Sequence, residues 1–325
     1  MKMWAKRGLL VLFGLVFATQ IAPAAPISVT NAWAARVFAP YAYIPRNSFS
    51  VTNCFEETGQ KYFTLAFVIS DSDGQPAWDG SQELRTSTRY YLDQIQELRA
   101  HGGDILISFG GEAGVELAIK TSDAIDLEAK YQSVINQYGL TWMDFDIEGK
   151  ALSKVEANQR RNSVLKQLQI KNPGLKISFT VPVNPVGLEN ESVVMIKDAF
   201  EKGVAVESVN IMTMDFGTNI SRGQKMGELA VMAANGTRRQ LDAIGARIKI
   251  GLTPMIGRND VKAEVFTLED ARTLMDFARK TPWIRSVSFW SVNRDRPPTS
   301  GKGGNRSSGI EQEKWDFTKI FQQLP

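Results

Sequence analysis

The chain has very little cysteine and histidine: its 325 residues include one of each, Cys54 and His101. With one cysteine, no disulfide can form within the chain and no cysteine-based zinc site can be built. A single histidine with no second histidine or cysteine argues against Cys-His and Ser-His-Asp catalysis. We therefore predict neither a metal nor another cofactor, and a fold that rests on its hydrophobic core.

Long apolar runs are absent except at the amino terminus. There Lys2, Lys6 and Arg7 precede the apolar stretch Gly8–Ala18, and a small-x-small cleavage pattern follows. This order predicts a secretory signal peptide over residues 1–25, because the run is too short to span a bilayer. We expect a secreted or periplasmic bacterial protein with no membrane contact once the signal is removed. An uncleaved anchor is the alternative.

An excess of one charge is also absent. The chain has 38 Lys and Arg against 35 Asp and Glu, and removing the three basic residues of the predicted signal leaves 35 of each. A neutral protein is not drawn to nucleic acid or to an anionic membrane surface, so we predict neither as a partner. A neutral polymer such as a glycan is compatible with this balance.

Short apolar stretches alternate with longer amphipathic ones over residues 26–325. The predicted strands are Val37–Ile44, Tyr62–Ile69, Asp104–Ser108, Trp142–Glu148, Lys176–Val181, Ser208–Asp215, Ile248–Thr253 and Ser286–Ser291. The predicted helices are Ser87–Ala100, Gly114–Gln137, Ala151–Gln169, Ser192–Lys202, Lys225–Gly245, Thr267–Thr281 and Glu311–Gln323. Strands of this kind indicate a helix-covered parallel sheet, and eight such units predict one α/β domain, a (β/α)₈ TIM barrel. An open doubly wound sheet is the alternative.

Three acids alternate with apolar residues in the fourth predicted strand. Asp144, Asp146 and Glu148 are spaced so that their side chains share one face. Neighbouring carboxylates repel one another, and burial disfavours their charge further, so such a row is costly to fold. Sites that must hold a proton near neutral pH accept this cost, which favours acid–base work on a glycosidic or similar bond. A hard-cation site or an exposed strand face is the alternative.

Other strands of the predicted barrel also end in unusual residues. Ser108 precedes Gly110 and Gly111 at the end of the third, Asp215 ends the sixth, and Trp290 lies in the eighth. Barrel enzymes carry their chemistry at these carboxyl ends. The glycines permit a close backbone approach or make a tight turn. A tryptophan beside acids offers a flat apolar face to a sugar, with core packing as the alternative.

Taken together, the motifs resemble the chitinases of glycoside hydrolase family 18. The fourth-strand signature of that family ends in three alternating acids, matched by Asp144, Asp146 and Glu148, and its SxGG pattern is matched by Ser108–Gly111. The segments MTMDFG and FWSVNRD resemble the family as well. The similarity runs from Val37 to Phe321 and is strongest to the D-like group of bacterial chitinases.

The resemblance implies substrate-assisted hydrolysis with retention of configuration. Glu148 would be general acid and then base, Asp146 would orient the acetamido N–H, and Asp144 would share a proton with Asp146. Trp290 would form the floor under the sugar at the cleavage site, and Asp215 would hydrogen-bond that sugar. The residues expected to contact substrate are Trp290, Asp215, Met212, Phe216, Ser108, Gly110, Trp78 and Tyr41.

The chain departs from the family pattern in its fourth and sixth strands. Thr141 stands where the signature usually begins with an acid. Many members place a tyrosine beside the sixth-strand aspartate to hydrogen-bond the acetamido oxygen, but Met214 and Phe216 flank it here and cannot donate. We expect Tyr41 or Tyr43 to supply that hydroxyl.

The sequence as a whole predicts a secreted chitinase, with endo action favoured. Its partner would be chitin or an N-acetylglucosamine oligosaccharide, with Trp78 extending the glycan track unless it packs within its loop. A chitin-binding lectin on the same barrel is the main alternative, and a metal-dependent hydrolase is a weaker one. The oligomeric state cannot be read from the sequence.

Overall fold

The computed structural model describes residues 33–298 and 304–324, and its centre is a curled parallel sheet. The strands that form the sheet are β1 (Val37–Phe38), β2 (Tyr41–Tyr43), β3 (Tyr62–Ser70), β5 (Asp104–Gly110), β6 (Trp142–Asp146), β7 (Lys176–Asn184), β9 (Val206–Met212), β10 (Lys249–Thr253) and β13 (Ile284–Val287). Short strands outside this path are β4 (Pro76–Trp78), β8 (Gly187–Leu188), β11 (Gly257–Arg258) and β12 (Val265–Phe266).

Helices alternate with these strands and cover the outside of the sheet. They are α1 (Val51–Thr58), α2 (Leu92–Ala100), α3 (Leu117–Lys120), α4 (Ala124–Tyr138), α5 (Val155–Lys171), α6 (Asn190–Glu201), α7 (Thr218–Ser221), α8 (Met226–Ala243), α9 (Leu268–Lys280) and α10 (Asp316–Phe321). The strand order around the sheet is β1, β13, β10, β9, β7, β6, β5, β3, β2.

The first predicted strand closes the barrel by pairing on both sides. Its first half, β1, is parallel to β13, and its second half, β2, is parallel to β3. Between the halves, the Ala39 N–H donates to Val287 (3.1 Å) and the Pro40 carbonyl accepts from the Thr64 N–H (2.9 Å). Because one stretch of chain joins both ends of the sheet, the predicted closed barrel is confirmed and the open sheet is wrong.

The strands present aromatic residues to the helices. The Phe109 and Phe145 rings stack on neighbouring strands with centroids 5.2 Å apart, and Tyr131 of α4 meets Phe145 edge-on at 5.3 Å. All three are fully buried. Burying each such side chain contributes about 2–3 kcal/mol. This packing fixes the orientation of β6, so the alternate residues of that strand must point into the barrel.

Three predicted helices differ from those observed. The helix predicted over Ser87–Ala100 begins only at Leu92, because Tyr91 before it adopts a left-handed backbone conformation. The stretch Gly114–Gln137 forms two helices, α3 and α4, because Asp123 caps the second by accepting from the Asp126 N–H. The last helix is only Asp316–Phe321 and begins after Trp315, which adopts a left-handed backbone conformation. The short strands β4, β8, β11 and β12 were not predicted.

Two further features concern the single cysteine and the length of the apolar helices. Cys54 is free and buried, and burial raises the pKa of its thiol to about 12. Among the described residues, no helix combines the length and apolar character needed to cross a bilayer. The predicted signal peptide lies outside the described residues.

Candidate active site

The three acids of the fourth barrel strand lie on one side of the chain, as their alternation predicted. Asp144 and Asp146 belong to β6 and are 2% and 4% exposed. Glu148 lies just beyond the strand, but its backbone remains extended (φ −141°, ψ 170°) and it is only partly exposed. The row therefore runs from the barrel interior to its carboxyl-terminal rim.

Asp144 is held by a shell of hydroxyl groups. Its Oδ2 accepts hydrogen bonds from Tyr41 (2.9 Å) and Ser108 (2.7 Å), and its Oδ1 accepts from Ser178 (2.7 Å) and Thr180 (2.9 Å). Burial raises the pKa of Asp144, and the four donors oppose that rise. The structure places Ser108 and Tyr41, both expected to contact substrate, as buried supports of this acid.

The polar shell continues around the barrel interior. Asn210 Nδ2 donates to Thr180 (3.0 Å), and the Thr253 hydroxyl donates to Asn210 Oδ1 (2.8 Å). Barrel interiors are usually filled by Val, Ile and Leu. Sequence reasoning missed Ser178, Thr180, Asn210 and Thr253, although polar residues at alternate positions of otherwise apolar strands could have indicated them.

The carboxyl groups of Asp146 and Glu148 are hydrogen-bonded to each other. Burial, followed by the nearby charges of Glu148 and Asp144, raises the pKa of Asp146 well above its usual range. Burial is also the main cause that raises the pKa of Glu148 to about 7. The pair therefore retains a proton near neutral pH, which is what a general acid requires.

The charges of two further carboxylates act on Glu148. The charges of Glu112 and Asp215 both raise the pKa of Glu148. Asp215 is partly exposed in the loop after β9, where its φ is +49° and its Oδ1 accepts from the Val261 N–H (2.8 Å). The predicted neighbourhood of Asp215 and Glu148 is thus present. Met212, also partly exposed, ends β9 beside this loop.

The glycine pair after β5 permits a close approach to β6. The Gly111 N–H donates to the Asp146 carbonyl (3.0 Å), and a Cβ on Gly110 would lie 2.0 Å from that oxygen. Gly110 has a φ of +106° and is buried. Gly110, expected to contact substrate, is therefore placed where it lets β5 approach the acid-bearing strand.

An aromatic platform lies beside the acids. Trp290 and Phe67 are both partly exposed, and their rings stack at 5.5 Å with planes 18° apart. The Tyr41 ring meets the Trp290 ring edge-on, with centroids 6.0 Å apart. The peptide bonds Ala66–Phe67 and Trp290–Ser291 are cis. Phe67 was missed because, in the sequence, it is one more apolar residue of a buried strand.

Two other aromatic residues predicted to contact substrate lie in the core. Trp78 is fully buried, and its indole N–H donates to the Tyr138 hydroxyl (2.9 Å). Phe216 is 6% exposed and packs within the hydrophobic core. Protein covers both rings in this structure, so neither presents an open face on which a sugar could stack.

The hydroxyl groups of Tyr41 and Tyr43, expected to replace that of the missing tyrosine, already have other hydrogen-bond partners. The Tyr41 hydroxyl is engaged with Asp144 and Thr180, and the Tyr43 hydroxyl is hydrogen-bonded to Asp79. Neither hydroxyl is held ready for an acetamido oxygen. As for ions, no cluster of three or more His, Cys, Asp or Glu within residues 33–298 and 304–324 could hold a metal.

Comparisons with known proteins show which family and fold this chain shares. No family model matches the chain. The chain is 33% identical over 318 residues, 90% of its length, to an Escherichia coli protein described as a probable bifunctional chitinase/lysozyme. It is 34% identical over 285 residues, 82% of its length, to endochitinase 11 of Metarhizium anisopliae. The chain spans 35% and 54% of these two curated relatives.

Solved structures extend the comparison to three dimensions. Active domain 2 of the thermostable chitinase from Pyrococcus furiosus, solved as a catalytic-site mutant with chito-oligosaccharides, is 35% identical with a TM-score of 0.81. The match covers 90% of this chain and 96% of that domain. Solved GH18 chitinases at 16% identity share the fold alone.

Proposed function

The chain belongs to the chitinases of glycoside hydrolase family 18, and from this premise we propose that it hydrolyses β-1,4-linked N-acetylglucosamine polymers with Glu148 as general acid and base. The observation that carries the proposal is the hydrogen-bonded pair of Asp146 and Glu148, in which the pKa of Glu148 is about 7. The Trp290 platform beside that pair offers a flat face to the reacting sugar.

The first chemical step needs one proton and one nucleophile. Glu148 gives its proton to the glycosidic oxygen as the bond from that oxygen to the anomeric carbon breaks. The carbonyl oxygen of the sugar's own 2-acetamido group attacks the anomeric carbon, which gives an oxazolinium ion and makes a carboxylate nucleophile unnecessary. Asp146 would accept the acetamido N–H; its Oδ1 is buried and has no partner within the described residues, which supports this role.

The second step reverses the role of Glu148. As a carboxylate, it takes a proton from water while the water oxygen attacks the anomeric carbon and opens the oxazolinium ring. Two displacements on the same carbon retain its configuration. Asp144, held by its hydroxyl shell, remains as the charged neighbour that keeps the proton of Asp146 directed toward the rim.

The proposed substrate rests on the same premise, and the proposed location rests on the amino-terminal sequence. A related domain binds chito-oligosaccharides and a curated relative is described as an endochitinase, which support an oligomeric substrate and endo action for this chain. We also propose that residues 1–25 direct export, to the periplasm or the medium. Mass spectrometry of the mature amino terminus after expression with the full leader checks the cleavage.

The experiment compares the wild type with Glu148→Gln and Glu269→Gln on a fluorogenic chitotrioside and on chitohexaose. We expect Glu148→Gln to lose about 10³-fold or more in kcat. Glu269 is an exposed glutamate on α9, so its variant should retain full activity. NMR of the first products should show the β anomer. Folded wild-type protein no more active than Glu148→Gln would refute the proposal.

One observation favours a lectin as a second candidate. Positions 214 and 216 carry no hydroxyl, and those of Tyr41 and Tyr43 are engaged elsewhere. Without a donor to the acetamido oxygen, the transition state loses about 2–4 kcal/mol, by analogy with an oxyanion hole. Calorimetric titration with chitohexaose separates the two candidates: a lectin binds equally in wild type and Glu148→Gln and turns over in neither.

A further inference from the structure

A buried glutamate outside the row of acids holds the loop that carries Asp215. Glu264 lies just before β12, in the connection between β10 and α9, and is 1% exposed. Its Oε2 accepts from the Phe216 N–H (3.2 Å) and its Oε1 from the Gly217 N–H (2.8 Å). One carboxylate thus binds the two residues that follow Asp215.

The loop after β9 has a strained backbone that other contacts must stabilise. Asp215 and Gly217 have φ values of +49° and +96°, in the left-handed half of backbone space. A residue other than glycine adopts such a φ at a cost of about 1 kcal/mol, which surrounding contacts must offset. The Val261 N–H donates to Asp215 Oδ1 (2.8 Å). The β11–β12 connection therefore donates one hydrogen bond to this loop, through Val261, and accepts two from it, through Glu264.

The β11–β12 hairpin is itself fixed to the barrel rim. The Arg258 N–H donates to the Ser308 carbonyl (2.8 Å), and a Cβ on Gly257 would lie 2.0 Å from that oxygen. The buried Arg294 guanidinium donates to the carbonyls of Ile256 and Arg258. Glu264 therefore ties the Asp215 loop to a fixed support.

A buried carboxylate such as that of Glu264 is an unusual residue for a purely structural contact. The groups that donate hydrogen bonds to Glu264 are neutral: the N–H groups of Phe216 and Gly217 and the hydroxyl of Ser221. Burial raises the pKa of its carboxyl. A carboxylate with two acceptor oxygens can bind two consecutive N–H groups at once, whereas a neutral amide offers a single acceptor.

We propose that Glu264 is a positioning residue of the active site, which fixes the backbone after β9 so that the Asp215 carboxylate faces Glu148 across the sugar site. The inference rests on the proposed function, because it assigns Asp215 to the substrate. It adds a residue far from the acid motif, which neither the motif nor the comparisons identify.

The test is a double-mutant cycle on chitohexaose with Glu264→Gln, Asp215→Asn and the double variant. The amide keeps the shape of Glu264 but loses one N–H partner, so we expect kcat/KM to fall about tenfold to a hundredfold. If Glu264 acts through Asp215, the double variant should match Asp215→Asn within about threefold, because coupled residues are not additive. Independent, additive losses would overturn the proposal.

Asp270→Asn is the matched control. Asp270 is also a buried carboxylate (6% exposed) that accepts from two backbone N–H groups, those of Gly227 and Thr267, both at 2.8 Å. It caps α9 and contacts no residue placed at the active site. We expect a similar loss of thermal stability in both variants and a loss of kcat/KM only in Glu264→Gln. Equal effects of both variants on kcat/KM would mean a structural role alone.

A second readout does not depend on turnover. The Glu148 carboxyl can be titrated by ¹³C NMR in labelled protein, with Asp146, Glu112 and Asp215 as its acidic neighbours. Displacing Asp215 should lower the midpoint in Glu264→Gln, as in Asp215→Asn, and Asp270→Asn should not move it. An unmoved midpoint in Glu264→Gln refutes the positioning role. Wild-type protein that fails to hydrolyse chitohexaose refutes the proposed function and leaves this titration able to decide the role of Glu264.

Discussion

The Tyr41 hydroxyl donates to Asp144 across the barrel interior, 2.9 Å from its Oδ2. The two residues are 103 positions apart in the chain. They meet because β2 and β6 both direct alternate residues inward from opposite sides of a closed sheet. The same hydroxyl lies 2.8 Å from Thr180 Oγ1, so it joins two members of the shell that holds Asp144.

Tyr41→Phe should lower kcat by about tenfold while KM changes little. The variant removes one donor from a buried carboxylate, which is worth about 1.5–3 kcal/mol. Losing it raises the pKa of Asp144 further and weakens the charge that directs the proton of Asp146. Steady-state kinetics on a fluorogenic chitobioside measure the change.

Tyr91→Phe is the control for this prediction. Its hydroxyl is also buried and donates to the Phe49 carbonyl (2.9 Å), away from the acids. We expect Tyr91→Phe to lose stability and keep its kcat. Unchanged kcat in Tyr41→Phe would show that the shell is structural.

Glu112→Gln should move the basic limb of the pH–activity profile to lower pH. A general acid works only while it holds its proton, so activity falls as pH rises through the pKa of Glu148, about 7. The charge of Glu112 raises that pKa, and removing the charge lowers it. The profile of kcat/KM between about pH 5 and 9 measures the shift. Glu56 is an exposed residue on α1, so Glu56→Gln serves as the control. A basic limb that moves to higher pH in Glu112→Gln would contradict the electrostatic argument.

Glu148→Gln should stabilise the protein at alkaline pH. A carboxyl whose folded pKa is raised favours folding below its unfolded pKa and loses that contribution as pH rises through the folded value. For Glu148, raised to about 7, the loss above that pH is on the order of 3 kcal/mol. A neutral amide avoids it, so Tm at about pH 8.5 should rise by about 5 °C.

The same pair of proteins supplies the control. At about pH 4, Glu148 is protonated in the folded state, so wild type and Glu148→Gln should unfold at nearly the same temperature. A stability gain that is equal at both pH values would come from packing and not from charge. Such a gain would carry no information on the protonation of Glu148.

Much of the fold was predictable because period-two and helical patterns are local. The shared face of the three acids was also predictable, because the alternation of side chains in β6 continues to Glu148 through an extended backbone. The closure of the barrel could be inferred only from the number of units. That one strand divides at Pro40 to pair with both neighbours is a property of the closed sheet.

The parts of the site that were missed depend on contacts between distant residues. Ser178 and Thr180 matter because β7 lies beside β6, and Phe67 matters because β3 brings it onto Trp290. Glutamate is usually exposed, so nothing in the sequence marks Glu264. Only the fold buries it against the Asp215 loop. Local patterns carry no information on such pairings.

Trp78 and Trp290 should respond to substitution in opposite ways. Trp78 is enclosed by protein and donates to Tyr138, whereas Trp290 is partly exposed and stacked on Phe67. Trp78→Phe should cost about 1–3 kcal/mol of stability, from a small cavity and a lost hydrogen bond, with KM for chitohexaose unchanged. Trp290→Phe should keep most of the stability and raise KM or lower kcat by about tenfold, because the sugar loses part of its platform. Urea unfolding and steady-state kinetics on both variants measure these effects, and a raised KM in folded Trp78→Phe would return Trp78 to the glycan track.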